Sequence, residues 1–554
     1  MADNEDVENV SGRLDLSVLQ WLQQAVGEAM PPYLLNCDSD TIQSIISERI
    51  NLSEKQADVI RHLNVLRQAI PADLGENGSL QAARVWLTQV GQDGRTVARA
   101  TREHVAGAEA LPTTQDELER AFAILALDTY PAYLYSPDPD IPALPLFERP
   151  SIHVTSLLFH HPQAKVFSEG ALKDAVLGKV FATETEHTGH IATIYRNTGQ
   201  GGGVQLSMLP EMLFSNAWGH LDEKARSATA FATAAVDELR IVRDLLVGKP
   251  STAKALTAFT GVLLPPGAQI QLRGGGVVRP VTEADRKMVP DGLKGQLSTT
   301  DQAGNSTVIN YDGDVLLEST FPYKVRLMPS GDETPTPWPE DMRPPASLEQ
   351  ASTRLRIALT LAVEREQRVQ LVQTWRSFEE PLGFGRGMSW SDPRQAAGLM
   401  PTQLTEAEVT SWAEWYKRLS SPRIEKIEVA LTRILRALAE RREPSDVLID
   451  SVIAWENIFG SREGEPTLRV TASLAKLLEK TPAARKASKT KLGDIYRLRS
   501  DVVHGNAPLD ISQYPLCQEA LDMAIKAVRI LTTERTDILE LPDGSARSNR
   551  LILE

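Results

Sequence analysis

Apolar residues recur every three or four positions in the first part of the chain, from residue 12 to about residue 130. This spacing is typical of helices that have one buried face. It is clearest at Leu16–Val26, Ile45–Ile50 and Val85–Val90, and polar or glycine-containing turns separate these segments. We therefore predict a mostly helical N-terminal region over residues 1–150.

The pattern becomes mixed between residues 151 and 328. The alanine-rich segment Ala225–Val247 predicts a helix. Around it, alternating apolar and polar residues predict strands, at Ile152–Thr155, Ile191–Tyr195, Gln269–Leu272, Thr307–Ile309 and Tyr323–Leu327. We expect residues 151–328 to form a mixed α/β domain.

Two proline-rich segments mark the predicted domain boundaries. Pro131–Pro150 contains six prolines, and residues 329–345 combine prolines with acidic residues, a composition typical of linkers. We predict a linker over residues 329–345 and a C-terminal domain over residues 346–540. A fragment that begins near Ala346 is expected to fold alone.

The C-terminal region contains three predicted helices, at residues 445–460, at residues 467–478 and in a segment that ends near Gly505. Glycine commonly follows the last turn of a helix because it adopts the left-handed conformation without steric cost. The apolar face of the last helix consists of Leu492, Ile495, Leu498 and Val502. The predicted fold class is therefore multidomain α+β, with an N-terminal helical and mixed α/β region followed by an all-α helical domain.

Arg499 and His504 are the candidate catalytic residues, at the end of the last predicted helix. Arginine stays positively charged and binds phosphate, whereas histidine titrates near neutral pH and transfers protons. Together these two side chains suffice for phosphodiester transesterification without a metal. On one regular helix they point roughly 140° apart, so either the helix end unwinds or two subunits share the site.

Glu456 is a supporting candidate because its helical neighbours are apolar, and a carboxylate in such a setting needs a partner. Arg499 is the partner that we expect, with Glu456 orienting the guanidinium. A purely structural ion pair and a carboxylate that faces solvent are the alternatives.

The C-terminal region resembles the Apea-like branch of the HEPN superfamily, whose three motif helices follow one another in the same order. The first motif matches Ile449–Gly460 and the last matches Tyr496–Gly505, while the middle motif matches Arg469, Ala475, Leu477 and Leu478. The resemblance covers residues 350–535, is specific in 445–506, and implies an α-helical domain. Many members are ribonucleases in toxin or phage-defence systems.

The resemblance implies a metal-independent endoribonuclease without a cofactor, which acts on RNA and pairs into a homodimer or a larger even-numbered oligomer. Ser500 or Asp501 is then expected to orient His504 or to contact ribose. The first 350 residues would sense a phage-derived or cellular trigger, or restrain the nuclease activity of the C-terminal domain. The alternatives are a non-catalytic module for dimerisation or for nucleotide or partner binding, and cleavage only within a larger complex.

Charge is distributed unevenly over the 554 residues. Residues 351–554 carry 30 Lys and Arg against 28 Asp and Glu, so the first 350 residues carry 29 against 45, a net charge of −16. A basic run precedes the catalytic pair and is either an RNA-binding surface or a solvated helix face; it contains Arg485, Lys486, Lys489, Lys491 and Arg497.

Other features limit the remaining possibilities. The acidic N-terminus lacks the pattern of a signal peptide and no long apolar run occurs, so we expect a cytoplasmic protein without membrane contact. Cys37 and Cys517 are too few for a disulfide framework. The group of Glu184, Glu186, His187 and His190 lacks metal-site spacing and is interpreted as a polar loop, and His160–His161 is interpreted as the end of a strand.

Overall fold

The computed structural model of the chain describes most of its residues, in segments separated by gaps. These are residues 14–136, 152–186, 189–199, 201–222, 225–272, 276–289, 296–300, 306–310, 312–327, 343–365, 368–383, 386–390, 401–441, 443–461, 465–505 and 508–554. Most of the predicted linker, 329–342, and most of Pro131–Pro150 lie outside the described residues.

Helices account for most of the secondary structure. In chain order they are α1 Ser17–Val26, α2 Met30–Leu35, α3 Ser39–Ile46, α4 Glu54–Ala69, α5 Gly75–Thr88, α6 Val97–Ala106, α7 Glu117–Tyr133, α8 Ile152–His160, α9 Pro162–Lys173, α10 Leu177–Val180, α11 Leu209–His220, α12 Ala228–Leu246, α13 Glu283–Met288, α14 Arg343–Ala362, α15 Glu406–Leu419, α16 Glu428–Ala439, α17 Pro444–Phe459, α18 Pro466–Leu478, α19 Pro482–Val503, α20 Tyr514–Thr533, α21 Thr536–Leu539 and α22 Gly544–Leu553.

The strands lie between α10 and α15. They are β1 Thr183–Thr185, β2 Gly189–Arg196, β3 Gly201–Gln205, β4 Ser251–Thr260, β5 Val262–Leu263, β6 Ile270–Gln271, β7 Val277–Pro280, β8 Gln296–Thr300, β9 Ser306–Asn310, β10 Val315–Tyr323, β11 Val325–Leu327, β12 Val372–Glu379, β13 Arg386–Trp390 and β14 Thr402–Gln403. The chain is therefore mixed α+β with a helical C-terminal region.

The chain divides into two compact units. The first contains Met1–Ala253, Pro322–Trp338 and Glu379–Gly387, and the second contains Lys254–Phe321, Pro339–Phe378 and Met388–Glu554. This division differs from the predicted boundaries after residues 150, 328 and 345. Each unit is assembled from separate stretches of chain because strands that are distant in sequence pair in its sheets.

The first unit is mainly helical. Helices α1 to α6 share an apolar core that includes Leu22, Ile60 and Leu87, and α7 packs between α9 and α12. Strand β2 pairs antiparallel with β1, β3 and β11.

The second unit combines a sheet with the C-terminal helices. The sheet has the strand order β13-β12-β4-β10-β7-β6, and β14 pairs in parallel with β5. One continuous apolar core contains Phe259 and Val315 of the strands together with Leu355 of α14 and Trp412 of α15. The Trp412 indole donates a hydrogen bond to the Leu355 carbonyl at 2.9 Å and joins α15 to α14. The shared apolar core joins these helices to the sheet.

Several sequence predictions of secondary structure are confirmed, and some are wrong. The predicted helix at Ala225–Val247 is α12, and Ile191–Tyr195 lies in β2. Ile152–Thr155 is not a strand but the start of α8, which also contains His160. The buried residues Val154, Leu157 and Leu158 explain the difference, because their spacing is helical.

The region after residue 346 is not all-α. Helix α14 is followed by β12, β13 and β14. From α15 onward, the described secondary structure consists of helices. Strands β12 and β14 pair with partners near residue 260, far away in sequence. Local patterns cannot reveal such pairing, which is why the sequence predicted a purely helical domain.

Within the described residues, no helix is both long and apolar enough to cross a membrane.

We expect a fragment of residues 346–554 not to fold cooperatively, because it lacks the strands that complete the sheet and core of the second unit. A fragment of residues 254–554 retains these strands and should show a steeper thermal transition by circular dichroism. Equally cooperative unfolding of the shorter fragment would contradict this dependence on the sheet.

Candidate functional site

The three motif helices α17, α18 and α19 begin in the same way. Each has a proline at its first helical position, where the missing N–H costs no hydrogen bond. The Thr481 side chain also accepts a hydrogen bond from the backbone N–H of Ala484 and caps α19. Helix α19 packs against α17 and α18, so the three predicted motifs lie side by side.

A buried carboxylate fixes the position of α17. The Asp450 side chain is only 2% exposed and accepts hydrogen bonds at 2.7 Å from Arg433 of α16 and from Arg441 before α17. At the C-terminal end of the helix, the buried Arg547 side chain donates to the carbonyls of Ile458 and Asn457 at 2.7 and 3.1 Å. These contacts hold the middle and the last turn of the helix that carries Glu456.

Glu456 and Arg499 face each other across α17 and α19. Glu456 Oε2 lies 3.9 Å from Arg499 Nη2, with the two side chains 32% and 23% exposed. This distance is an ion pair but exceeds a hydrogen bond. Arg499 Nε is buried and has no hydrogen-bond partner among the described residues. The guanidinium is therefore oriented by charge, and its N–H donors make no hydrogen bond to a described residue.

Tyr496 supports Glu456 from the same helix as Arg499. Its hydroxyl donates a hydrogen bond to Glu456 Oε1. Burial, followed by the hydrogen bond to the Glu456 carboxylate, raises the pKa of Tyr496 to about 12, so the phenol stays protonated at neutral pH. Tyr496 and Arg499 are three positions apart and hence on one helix face, which is the sequence signal that could have identified this tyrosine.

His504 occupies the C-terminal end of α19. Its backbone N–H donates to the Ser500 carbonyl at 3.0 Å, in continuation of the α-helical pattern. Gly505 follows with φ +68°, the left-handed conformation that ends the helix. The imidazole is exposed and has no hydrogen-bond or ion-pair partner in the described part of the chain. It lies next to the negative end of the helix dipole.

The helix therefore does not unwind between the two candidate catalytic residues. Regular geometry through His504 leaves the side chains of Arg499 and His504 roughly 140° apart around the axis. Ser500 and Asp501 follow Arg499 on the same helix and are half-buried. The structure brings Glu456, Tyr496 and Arg499 together, but it does not aim His504 at the same point.

The basic run on α19 is only partly available for a ligand. Arg485 donates to the Glu479 carbonyl at the end of α18, Lys491 pairs with Glu519, and Arg497 pairs with Asp494 at 3.4 Å. Two further lysines are exposed and have no ion-pair partner among the described residues; they are Lys486 and Lys489.

The acidic and histidine residues near 184–190 do not form the predicted loop. Glu184 lies opposite His190 in the antiparallel pair of β1 and β2. His187 lies outside the described residues. Among the residues that are described, no group of three or more His, Cys, Asp or Glu is arranged to hold a metal ion.

No protein-family model, curated protein or solved structure matches this chain.

We expect Asp450→Ala to lower the free energy of unfolding by about 2–3 kcal/mol, because it removes the shared acceptor of two arginines at a buried position. Asp446→Ala is the matched control on the same helix, since Asp446 is 49% exposed and lies 4.0 Å from Arg441. Its effect should not exceed about 1 kcal/mol. Urea denaturation of both variants measures the difference, and equal losses would contradict a specific role for Asp450.

Proposed function

We propose that the chain is a metal-independent endoribonuclease of the HEPN type whose chemistry resides in the C-terminal helices. The main support for the proposal is that Arg499 is oriented but forms no hydrogen bond to a described residue. Its guanidinium is half-buried and oriented by Glu456, yet it makes no hydrogen bond within the described residues. A free, oriented guanidinium suits the recognition of a phosphate group.

Arg499 would stabilise the phosphoryl oxygens as negative charge develops on them. Electrostatic stabilisation requires donors that are already positioned before the reaction. Glu456 supplies this positioning without consuming the donors, because its ion pair with Arg499 is 3.9 Å long and its other oxygen accepts from Tyr496. Glu456 and Tyr496 are thus proposed as positioning residues.

His504 would transfer protons in the cleavage step. The ribose 2′-oxygen attacks the adjacent phosphorus, the bond from phosphorus to the 5′-oxygen breaks, and a 2′,3′-cyclic phosphate forms. A base removes the proton of the 2′-hydroxyl and an acid protonates the leaving 5′-oxygen. His504 performs one of these transfers, and Ser500 or Asp501 orients its imidazole or contacts the ribose.

We propose that a second copy of the chain completes the site. Since α19 remains helical through His504, Arg499 and His504 of one chain point in different directions. A two-fold related copy can bring the missing side chain to the same phosphate. Exposed apolar side chains flank His504 in the sequence and offer a surface for association; they are Val503, Ile511 and Tyr514.

Lys486 and Lys489 would contact the RNA backbone, with Arg485, Lys491 and Arg497 as further candidates that have protein partners in the free chain. The first 350 residues have a net charge of −16, which opposes RNA binding. We propose that they sense a phage-derived or cellular trigger or restrain the nuclease, in a toxin or antiviral system of the cytoplasm.

A non-catalytic dimerisation module is the second candidate. The exposed apolar residues near His504 would serve association alone equally well. Loss of RNA cleavage in the His504→Ala variant with unchanged association separates the nuclease from this alternative.

We expect the purified protein to cleave RNA in excess EDTA and to leave 2′,3′-cyclic phosphate or 3′-phosphate ends. Arg499→Ala and His504→Ala should each lower the rate at least about a hundredfold, because one removes charge stabilisation and the other a proton transfer. Arg499→Lys should fail as well, since a point charge does not replace the planar fork. End-group analysis and gel assays measure these outcomes.

Arg436→Ala is the control for this series, because Arg436 is an exposed arginine on α16 without an assigned role. It should cleave like the wild type. Products with 3′-hydroxyl ends, or normal cleavage by both alanine variants, would overturn the mechanism.

We expect the protein to dimerise at micromolar concentration, and Ile511→Asp to weaken this association at least about tenfold by placing a charge on the exposed apolar surface. Val429→Asp is the matched control, because Val429 is also exposed, at 52%, but lies on α16. Light scattering measures the effect.

Mixing Arg499→Ala with His504→Ala chains should restore activity if each site draws on two chains. A monomer with full cleavage activity would contradict the shared site.

A further inference from the structure

Four buried polar atoms without partners occur close together in the first unit. They are Tyr33 Oη, Arg102 Nη1, Glu109 Oε2 and Arg226 Nε, none of which has a hydrogen-bond partner among the described residues. Buried polar groups are normally paired, because an unpaired group loses its hydration without compensation. Their four side chains are only half-buried as a whole, so the group lies near the surface.

Aromatic rings connect these side chains. The Arg102 guanidinium lies 5.9 Å from the centre of the Tyr33 ring, and the Tyr33 and Tyr130 rings are 5.5 Å apart. Tyr130 is 6.1 Å from Trp218, over which Arg226 stacks at 4.3 Å. The result is a row of three aromatic rings with an arginine at each end, which we call the aromatic row.

Glu109 lies beside this row. Burial raises the pKa of its carboxyl group, and the nearby charge of Arg102 opposes this shift. Burial, and after it the Glu109 charge, raises the pKa of Tyr33 and of Tyr130. The free carboxylate oxygen is thus near the two tyrosines and Arg102.

A neighbouring ionic network shows how this unit satisfies buried charges elsewhere. Arg99 donates to Glu103 at 2.9 Å and to Asp128 at 3.0 Å, and Asp128 also accepts from the Thr96 backbone at 2.9 Å. These groups therefore satisfy one another's hydrogen-bonding atoms. Arg99, Glu103 and Asp128 therefore differ from the four groups around the aromatic row, whose atoms are left without partners among the described residues.

We propose that the aromatic row is a binding site for a nucleoside phosphate. The two arginines offer donors to a phosphate, and the half-buried rings of Tyr33 and Trp218 offer stacking to a base, whereas Tyr130 is buried between them. Glu109 offers an acceptor to the N–H or hydroxyl groups of the nucleoside. Tyr33 contributes a hydroxyl that acts as donor or acceptor. A nucleoside phosphate carries all three complementary features in one small molecule.

This site belongs to the first unit and does not depend on the proposed nuclease. A bound nucleotide would then be the signal that the acidic first 350 residues detect.

The test is thermal unfolding of the full-length protein with AMP, GMP, CMP or UMP at millimolar concentration, with orthophosphate and ribose 5-phosphate as ring-free probes. A ligand that binds only the folded state raises the melting temperature. We expect at least one mononucleotide to raise it by several degrees and the ring-free probes to have little effect. His504→Ala should keep the full shift, which separates this site from the proposed nuclease site.

Tyr33→Phe gives the sharpest variant, because it removes a hydroxyl that makes no hydrogen bond in the described structure. Without ligand, its melting temperature should not fall below that of the wild type, while nucleotide affinity should fall about tenfold. Arg102→Met should abolish the shift. Tyr135→Phe is the matched control, since the Tyr135 hydroxyl donates to the Arg84 carbonyl at 2.8 Å; it should lose stability but keep nucleotide affinity.

Three results would overturn the proposal. The first is the absence of a shift with every mononucleotide. The second is an equal shift with orthophosphate or ribose 5-phosphate, which would indicate a simple anion site. The third is an unchanged nucleotide shift in both Tyr33→Phe and Arg102→Met, which would place the ligand elsewhere.

Discussion

The arrangement of the C-terminal helices depends on the packing of α17. Its buried residues Val452, Trp455 and Phe459 belong to the continuous core of the second unit, and α16, α18, α19, α20 and α22 all contact it. Asp450 adds ion pairs near its first turns and Arg547 binds the carbonyls of its last turn. A helix held in this way places Glu456 firmly, and Glu456 in turn orients Arg499.

The candidate site differs electrostatically from the structural ion pairs of the same chain. Arg243 of α12 is bound by three carboxylates, at 2.8 Å from Asp116, 3.2 Å from Glu119 and 2.7 Å from Asp174. Such an arginine has few donors left for a ligand. Arg499 instead has one distant carboxylate, which is shared with Tyr496. An arginine that is oriented but not saturated can still bind an anion, and this contrast supports a functional rather than a structural role.

In both proposed sites, arginine side chains would bind a phosphate group, but the other residues of the two sites differ. The aromatic row combines arginines with ring faces, which suits one small ligand with a base and a phosphate. The proposed C-terminal site would combine Arg499 of one chain with His504 of a second copy, which suits a reaction at a phosphate. If both proposals hold, the first site would bind a small-molecule signal and the second would cleave RNA.

Local sequence patterns were enough to predict the helices of the C-terminal region and the residue types at the candidate site. Composition and periodicity are local properties, so α19 follows from the spacing of its apolar residues and α12 from its alanine-rich sequence. The end of α19 at Gly505 follows from one residue. Glu456 could be selected as a carboxylate in need of a partner because its helical neighbours are apolar.

The grouping of distant segments into one unit could not be predicted from local sequence patterns. The pairings of β14 with β5 and of β12 within the sheet join residues more than a hundred positions apart, and no local pattern encodes such contacts. The same holds for the hydrogen bond from Tyr496 to Glu456 and for the aromatic row, whose members lie on α2, α6, α7 and α11 and next to α12. Side chains of different helices meet only when the core packs, and packing is a property of the whole fold.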